Sequence, residues 1–471
     1  MKTKHFILPI FFACQLVMAY TQIDSHYWTH QYGAKGLLLN GAVIASTEDE
    51  TAIFYNPGAM GRGEKFGLSL SFLTPNYSQF TTENFLGEGT TLTDRDIGFS
   101  PGFAAVGFPL FDDDRFRGGA TTFTRFKSNL NFRGRELAVI PSNPEQLFIG
   151  NLDFKRKLTE RWIGFGLSFK VNETLSLGGS QFLVMHSEST DIRIQKEIVA
   201  KNQPTNLLTA WRSNLRYSFN ASGGFLTKLG LSWKPDNSDI LIGLTITSPT
   251  YGYIHKSASY EFDDLKKINP DSTILIANLD NATLNTYKTP FSIGYGIDFS
   301  HNRWRFSLSA EYFRNIKTYT IIEAEDDPFK GFADGDFSLN TSVRNGNKEV
   351  FNFAIGVQRK LYDGSTFIFG FRTDFNQREP VEGFSEFEFL ASTPSIYHFS
   401  LGCFFELWGN EVSVGADYGR GRRKGNQNLI GFSEVTSENL FSITPDKNVS
   451  SIFESFVIIL TYDFIFKRRQ K

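Results

Sequence analysis

Cysteine and long apolar runs are almost absent from this sequence. Among its 471 residues only Cys14 and Cys403 are cysteines, and Cys14 falls in a predicted secretion signal. The mature chain would keep a single thiol, so it can form no internal disulfide and holds no cysteine zinc site. After the signal no apolar stretch approaches the roughly 18–20 residues that a membrane-spanning helix requires, which excludes such a helix.

An excess of charge is missing too, and so are the common catalytic motifs. The formal net charge is −2, which gives no reason to expect nucleic acid or another polyanion as a partner. The seven histidines are scattered. No His-Glu-x-x-His, Gly-x-Ser-x-Gly or P-loop motif is found. We therefore predict that the chain is not an enzyme and holds no cofactor or metal.

Aromatic residues, in contrast, are abundant. They make up 15% of the chain, and phenylalanine alone occurs 49 times. A packed soluble core does not need so many. A surface that faces lipid uses them freely, because hydrocarbon tolerates exposed Phe while Tyr and Trp suit the membrane interfaces.

Residues 1–21 have the features of a secretion signal. Lys2 and Lys4 precede an apolar stretch from Phe6 to Met18, the order of charge and hydrophobicity that such signals share. A lipoprotein signal ending at Cys14 is the alternative. The apolar stretch continues past that cysteine, which favours an ordinary cleaved signal.

The rest of the chain alternates with period two in segments of about ten residues, the length of a tilted strand that crosses a bilayer. In Trp304–Tyr312 the even-numbered residues are apolar and the odd-numbered ones polar. In Trp162–Val171 the odd-numbered residues are apolar. The residues that alternate with them, on the opposite face of the strand, are Gly164, Gly166, Ser168 and Lys170. The final segment, Phe456–Phe466, ends in aromatic residues, like the terminal strand of outer-membrane barrels.

This periodicity predicts about fourteen strands, an even number, as single-chain bacterial barrels require. The predicted strands lie near 66–74, 99–109, 115–126, 161–171, 175–187, 222–234, 239–250, 289–299, 304–316, 350–360, 366–376, 396–407, 411–421 and 453–466. Short turns are expected at 112–114, 172–173, 235–237, 301–302, 363–364 and 409–410. Long loops are expected at 75–98, 127–160, 188–221, 251–288, 317–349, 377–395 and 422–452.

Short turns on one side and long loops on the other are typical of a barrel in the outer membrane of a Gram-negative bacterium. We therefore predict an all-β chain, a transmembrane antiparallel β-barrel over residues 66–471, with periplasmic turns and external loops. A soluble sandwich has no reason to keep this alternation over the whole chain. A propeller would show a repeat of about 40–50 residues, and none is seen.

Residues 22–65 differ from the strands, since they are rich in glycine and do not alternate. A barrel of fourteen strands has a lumen that its own side chains cannot fill. We therefore predict that residues 22–65 form an N-terminal plug, or hatch, inside the lumen.

The hatch segment resembles that of the long-chain fatty-acid and aromatic-hydrocarbon transporters of the FadL/TodX type, which carry a plug inside fourteen strands. Their plugs share a run of small residues, an acidic stretch and an Asn-Pro-Ala motif. The matching positions here are Gly41, Ala42 and Ala45, then Glu48 to Ala52, then Asn56 and Pro57. Gly58 stands where the family usually has alanine.

The resemblance implies passive uptake of hydrophobic small molecules such as long-chain fatty acids, by a monomer surrounded by outer-membrane lipid and lipopolysaccharide. Gly41, Asn56 and Pro57 are then candidates for the hatch gate. Gly107 and Pro109 are candidates for a strand kink that opens a lateral exit, because proline cannot donate to a β-ladder. The ligand-binding residues of the family cannot be matched to positions here.

Other interpretations stay open. Some FadL-like barrels act as adaptors or shuttles for protein-secretion machinery at the cell surface, which long external loops would suit. A barrel hydrolase could use Asp374, His398 and Ser400, although polar residues of this kind are normal in a lumen.

Two kinds of charged cluster have both a functional and an ordinary interpretation. The basic run could bind lipopolysaccharide phosphates or be a solvated loop. The acidic clusters could bind Ca²⁺ or form turns, and the turn is favoured. The basic run consists of Arg420, Arg422, Arg423 and Lys424, and the acidic clusters are Glu48-Asp49-Glu50 and Asp112-Asp113-Asp114. Lys467-Arg468-Arg469 are expected to form a solvated periplasmic tail.

Overall fold

The structure, a computed structural model, describes most of the mature chain. The described residues are 25–63, 66–71, 75–99, 102–111, 113–254, 257–269, 272–322, 343–362, 364–379, 394–407, 410–428, 432, 435–436, 440–441 and 446–466. The predicted signal, Asp112 and the basic tail from Lys467 lie outside them. No helix in the described ranges is long and apolar enough to cross a membrane.

Nearly all of the described chain after residue 65 is β-strand. The strands are β1 (Phe66–Ser71), β2 (Pro75–Glu83), β3 (Thr91–Phe99), β4 (Phe103–Leu110), β5 (Asp113–Ile140), β6 (Asn143–Lys170), β7 (Leu175–Ala200), β8 (Gln203–Trp233), β9 (Ile240–Thr247), β10 (Tyr251–Ile254), β11 (Ser257–Asn269), β12 (Ser272–Leu284), β13 (Ser292–His301), β14 (Trp304–Phe313), β15 (Ile316–Ile322), β16 (Val343–Asn347), β17 (Val350–Lys360), β18 (Thr366–Asp374), β19 (Ile396–Leu407), β20 (Asn410–Asn428) and β21 (Asp446–Phe466).

Strands that continue one another combine into a closed antiparallel barrel of fourteen strands, which confirms the predicted fold. The first barrel strand, β1 with β2, pairs with the last strand, β21. This seam runs from Phe66 opposite Phe466 to Glu83 opposite Ser450. The closed seam leaves no free edge at this point, as a strand in lipid requires.

The outward face of the barrel is apolar over a band about nine residues high. On β6, the side chains of Ile163, Phe165 and Leu167 are about half exposed, while Gly164 and Gly166 between them face the lumen and are buried. Large apolar side chains outside and small residues inside are the reverse of the arrangement in a soluble protein. Such an outward face matches a surface that lies in hydrocarbon.

Above this band the apolar residues change sides. In the upper half of β6, Leu152, Phe154 and Leu158 point inward and are buried, while Asp153 and Lys155 point outward. The pairing of β6 with β7 shows no bulge from Gln146 to Lys170, so the strand has not rotated. The change therefore marks the edge of the membrane, where the outside becomes water and the apolar side chains pack inside instead.

The predicted loops 127–160 and 188–221 are therefore wrong. They are β-hairpins, formed by the upper parts of β5 with β6 and of β7 with β8, which turn at 141–142 and 201–202. The predicted loops 75–98 and 251–288 likewise consist largely of strands. In the upper parts of β6 and β7 the alternation persists, but its apolar side faces the lumen instead of lipid.

The described hatch, residues 25–63, lies inside the barrel and contains α1 (Gly33–Leu38), α2 (Ala52–Tyr55) and a 3₁₀ helix (Ala59–Arg62). One side packs against the barrel wall through Leu38 and Val43, in a cluster that includes Ile368 of β18. The other side packs through Ile53, in a cluster that includes Phe182 of β7. The predicted plug in the lumen is confirmed.

Candidate functional site

Asn56 joins the hatch to the barrel wall. Its side-chain amide Nδ2 donates to the carbonyl oxygen of Ile44 at 2.8 Å and to that of Leu231 on β8 at 3.0 Å. Its Oδ1 accepts from the backbone N–H of Gly58 at 3.0 Å. The side chain is fully buried, so each of these bonds would be costly to lose. The predicted gate residue is a structural tie between two segments.

Beside Asn56 the hatch backbone approaches the wall so closely that only glycine fits. A Cβ atom on Gly178 of β7 would lie 2.3 Å from the carbonyl oxygen of Pro57. One on Gly230 of β8 would lie 2.2 Å from Oδ1 of Asn56, and one on Gly58 would lie 2.6 Å from the oxygen of Gly230. The glycine at 58, where alanine is usual in the resembled family, thus belongs to this contact.

Gly41 forms a tight turn in the hatch. Its φ is +82°, a backbone conformation that glycine adopts without strain. A Cβ there would also meet Oε1 of Gln31 at 2.6 Å. Gly41 and Gln31 both line a cavity beside the turn, so this candidate residue borders the space between the hatch and the wall.

That cavity lies between the hatch and the wall of β8, β13 and β14 and measures about 50 Å³. Aromatic rings make much of its lining, namely Tyr27, Trp28, Phe54, Tyr55, Trp162 and Phe313. Its charged groups are held in place: Lys228 donates to the carbonyl of Phe54 at 2.9 Å, and Glu311 accepts from the Trp28 indole at 2.9 Å. Apolar walls with a few fixed polar groups are the usual composition of a small-molecule site.

A charged cluster, which we call the polar layer, lies on the inner face of β6 and β7, directly above Trp162 of this cavity. Arg156 donates to Glu188 at 2.7 Å, and His186 lies 3.5 Å from Glu160 and 3.4 Å from Glu188. The ring of Tyr287 stacks on that of His186 with centroids 3.8 Å apart. All four charged side chains are buried.

The polar layer separates two apolar compartments. On β7, Val184 just below it belongs to the cluster around the hatch, and Ile192 just above it belongs to a large upper cluster between the external hairpins. The sequence-based interpretation missed this layer. The signal was present, because Glu160, His186 and Glu188 have the same parity as inward-facing Trp162 and Phe182.

The wall has an interruption on the side of β3 and β5. The lower part of this strand pair is joined, since β4 pairs with β5 from Phe103 opposite Phe123 downward. Above this level β3 pairs with β2, and no register joins β3 to β5 among the residues that the structure describes. Ile97 on β3 is an exposed apolar side chain in this region, at 81%.

The predicted kink residues lie below that interruption. Gly107 and Pro109 of β4 stand opposite Gly119 and Arg117 of β5, so the strand remains paired through both. The register shifts only after Pro109. Whether these residues act as a kink stays a prediction.

The residues of the hypothetical hydrolase triad are spread over separate contacts. The Ser400 hydroxyl donates to the carbonyl of Leu38 at 2.7 Å, and the imidazole of His398 lies 3.1 Å from Asp417. Asp374 accepts from the backbone N–H of Trp28 at 3.0 Å. Ser400 and Asp374 bind the hatch to the barrel wall, and His398 binds a neighbouring wall residue. In the described structure none of these contacts pairs the Ser400 hydroxyl with the His398 imidazole as a nucleophile and base.

The charged clusters from the sequence have local partners where they are described. Arg420 pairs with Glu454 at 3.4 Å, and Arg422 with Glu83 at 3.7 Å. Asp113 pairs with Arg115 at 2.8 Å. Asp49 accepts from the backbone N–H of Thr51, as in an ordinary turn. No group of three or more possible metal ligands occurs within the described ranges.

No protein-family profile matches the chain, and no curated protein matches it by sequence. Solved structures do. A FadL homologue of Pseudomonas aeruginosa superimposes with a TM-score of 0.60 at 14% identity, over 94% of this chain and 100% of that one. The toluene transporter TodX of Pseudomonas putida gives 0.56 at 11% identity, over 93% and 99%. The chain has the FadL and TodX fold. The toluene transporter TbuX of Ralstonia pickettii gives 0.52 at 12% identity, over 93% and 99%.

These likenesses confirm the predicted resemblance at the level of the fold. The closed barrel with its outward apolar band confirms the predicted location in the outer membrane.

Proposed function

We propose that this FadL-type barrel takes up hydrophobic small molecules, long-chain fatty acids or similar compounds, passively across the outer membrane. The observation that carries the proposal is the aromatic cavity that the hatch closes inside a lumen with apolar compartments. The FadL homologue, TodX and TbuX share the fold over nearly their whole length, and two of them are toluene transporters, which supports the same class of solute here.

The compartments suggest a route with little contact with water. An apolar solute would first enter the upper cluster between the external hairpins, then cross the polar layer and reach the cavity at the hatch. Keeping a solute out of water saves about 0.8 kcal/mol for each buried methylene. With a volume of about 50 Å³, the cavity is too small to hold a fatty acid, so passage requires the hatch to shift.

The hatch residues Gly41, Asn56 and Pro57 would control that shift. Asn56 ties the hatch to β8, and Gly41 forms the turn beside the cavity. A solute that enlarges the cavity would strain both contacts. If only the contacts of Asn56 and Gly41 loosened, the cavity would enlarge while the rest of the hatch stayed in place, because its other side packs on β18.

The unpaired stretch between β3 and β5 would be the lateral exit into the bilayer. A solute that leaves there never returns to water, whereas a periplasmic exit would expose it. The exit would need no broken backbone ladder, because no strand register joins these two strands above Phe103 in the described residues.

Uptake assays test the transport proposal. Cells lacking their own uptake barrel would be supplied with labelled fatty acid, or with toluene in a parallel series, and would express either this chain or an empty vector. We expect faster uptake of at least one of the two solutes. Equal uptake of both by the two strains, with the barrel folded in the outer membrane, would contradict transport.

Cross-linking tests the exit separately. Cysteines would replace Ile97 on β3 and Asn129 on β5 in a Cys403→Ser background, and bifunctional thiol reagents of graded length would join them. The matched control joins Leu167→Cys and Gly179→Cys, which face each other across the paired β6–β7 wall. We expect only the first bridge to stop uptake. Unchanged uptake would refute the exit and leave transport standing.

A secretion adaptor at the cell surface is the second candidate. The observation that favours it is the ordered, charged outer face of the β5–β8 hairpins, where for example Arg133 lies opposite Asp153. Affinity purification of the chain from its own cells distinguishes the two. An adaptor should retain a secretion component in stoichiometric amount and show no solute uptake.

A further inference from the structure

Three cations lie together on the outside of the barrel, at the edge of the membrane. They are Lys127 of β5 and Lys157 and Arg161 of β6, and we call them the basic triad. Arg161 directly follows the apolar band on its strand, since Ile163 is the next outward residue below it. The triad therefore lies at the height where the outer leaflet carries its polar head groups.

The register places the three cations side by side. Lys127 stands opposite Thr159, which lies between Lys157 and Arg161 on the outward face of β6. Diagonal neighbours of this kind lie about 7–8 Å apart. The charges of Lys127 and Arg161 are near enough to repel each other, so an anion bound beside them would reduce the repulsion.

No carboxylate stands directly opposite Lys157 or Arg161 on their own sheet, and Asp191, the diagonal neighbour of Lys157 on β7, is already held by Arg193 and Arg216. Lys157 stands opposite Asn129 on one side and Ser189 on the other. Arg161 stands opposite Thr124 and Met185. Across the interruption, the carboxylate of Asp96 on β3 acts on Lys127. The site thus combines three cations with hydroxyl and amide neighbours and with the single carboxylate of Asp96, and its excess of positive charge suits a multivalent anion.

Several other cations on the outward face of these hairpins have carboxylate partners. Arg133 lies 3.6 Å from Asp153, Arg193 lies 2.7 Å from Asp191, and Arg212 lies 2.5 Å from Glu197. Lys157 and Arg161 form no salt bridge among the residues that the structure describes, and neither does Arg135 higher on β5. Lys157 and Arg161 differ from Arg135 and from the paired cations by their position at the membrane edge.

We propose that the basic triad binds the phosphate group of a phosphorylated glycolipid in the outer leaflet. Arginine and lysine are the residues that bind phosphate oxygens, arginine through paired N–H donors. The source is a lipid and not free phosphate, because the apolar side chains of Ile163 and Phe165 continue directly below the triad and would receive acyl chains. The proposal is independent of whether the barrel transports a solute.

Native mass spectrometry of the full chain, extracted from outer membranes in mild detergent, tests this site. The first variant combines Lys127→Gln, Lys157→Gln and Arg161→Gln. The control combines Arg133→Gln, Arg193→Gln and Arg212→Gln, which removes the same charge from higher on the same face. Heat-dependent gel mobility would confirm that both variants form closed barrels.

We expect the wild type and the control to retain a phosphorylated glycolipid, and the triad variant to retain about tenfold less. Arg161→Lys, which keeps the charge, should retain more than Arg161→Gln. Equal retention by all variants would overturn the proposal. So would equal binding of enzymatically dephosphorylated glycolipid, which would assign binding to the apolar band, and so would displacement by millimolar inorganic phosphate, which would indicate a free-ion site.

Discussion

Single atoms decide how closely the hatch can approach the wall. Gly178 and Gly179 are neighbours on β7, but a Cβ on the first would lie 2.3 Å from the Pro57 oxygen, while one on the second would lie 3.5 Å from a methyl of Leu229. The two positions thus differ in what faces them and hardly in strand geometry. They form a matched pair for testing the contact.

Gly178→Ala should loosen the hatch, and Gly179→Ala should not. The added methyl at 178 must displace backbone, at a cost of about 1–3 kcal/mol. Hydrogen exchange of the hatch amides measures this directly, and we expect faster exchange around residues 56–58 only in the first variant. Similar exchange in both variants would contradict the close contact between Gly178 and the Pro57 carbonyl.

The burial of Lys196 allows a prediction about how stability depends on pH. It points inward from β7 and is almost fully buried among apolar side chains, with Nζ 5.2 Å from the centroid of the Trp211 ring. Burial lowers the pKa of Lys196 from 10.5 to about 8. Between these two values the unfolded chain binds the proton and the folded chain has released it, so stability should rise with pH across this window.

Lys196→Met should therefore raise the thermal midpoint at pH 7 and remove the rise in stability between pH 8 and pH 10. The gain could reach about 3 kcal/mol, from 1.36 kcal/mol for each unit of pKa. Lys155→Met, an outward position on β6, is the control and should change little. A lower midpoint for Lys196→Met at pH 7 would contradict the assigned burial.

At the scale of the strand, the same β7 carries a buried ion pair and an exposed one. Glu188 pairs with Arg156 inside the polar layer, where both side chains are at most 4% exposed. Three residues further, Asp191 pairs with Arg193, whose side chain is 50% exposed. The pairs have the same N–O distance of 2.7 Å and differ in their access to water.

Glu188→Ala should cost about 3–5 kcal/mol, because it leaves the Arg156 charge buried without its partner. Asp191→Ala should cost about 0–1 kcal/mol. Urea unfolding in detergent compares the two. The double variant Arg156→Met with Glu188→Leu should recover much of the loss. Equal losses for Glu188→Ala and Asp191→Ala would place the polar layer in contact with solvent.

The strands that cross lipid could be predicted from the sequence, and the external hairpins could not. The period-two pattern located 161–171 and 175–187 because hydrocarbon makes the outward residues of both segments apolar. Beyond Arg161 and Met185 water replaces lipid, so the apolar residues move to the inward face. Charged outward residues such as Asp153 and Lys155 then make the segment look like a loop. The strand is recognised only if the apolar residues are sought at the inward positions.

At the scale of the whole molecule, the site depends on contacts between segments far apart in the chain. The family resemblance pointed to Asn56, but its bond to Leu231 spans 175 positions, and no local pattern predicts that partner. The polar layer likewise brings Tyr287 to Glu160 and His186. Its members become neighbours only when the barrel closes, so the sequence predicted the plug and the fold but not this barrier inside the lumen.

The central claim is that one set of strands passes from lipid into water while the hatch fills the lumen. A nitroxide scan along β6, with single cysteines from 147 to 171 in a Cys403→Ser background, tests it most directly. We predict that labels at odd positions 163–171 contact oxygen dissolved in lipid, that labels at odd positions 151–161 contact a water-soluble nickel complex, and that labels at even positions contact neither. Lipid contact that continues to position 153, or free access of the nickel complex to positions 164–168, would contradict the account.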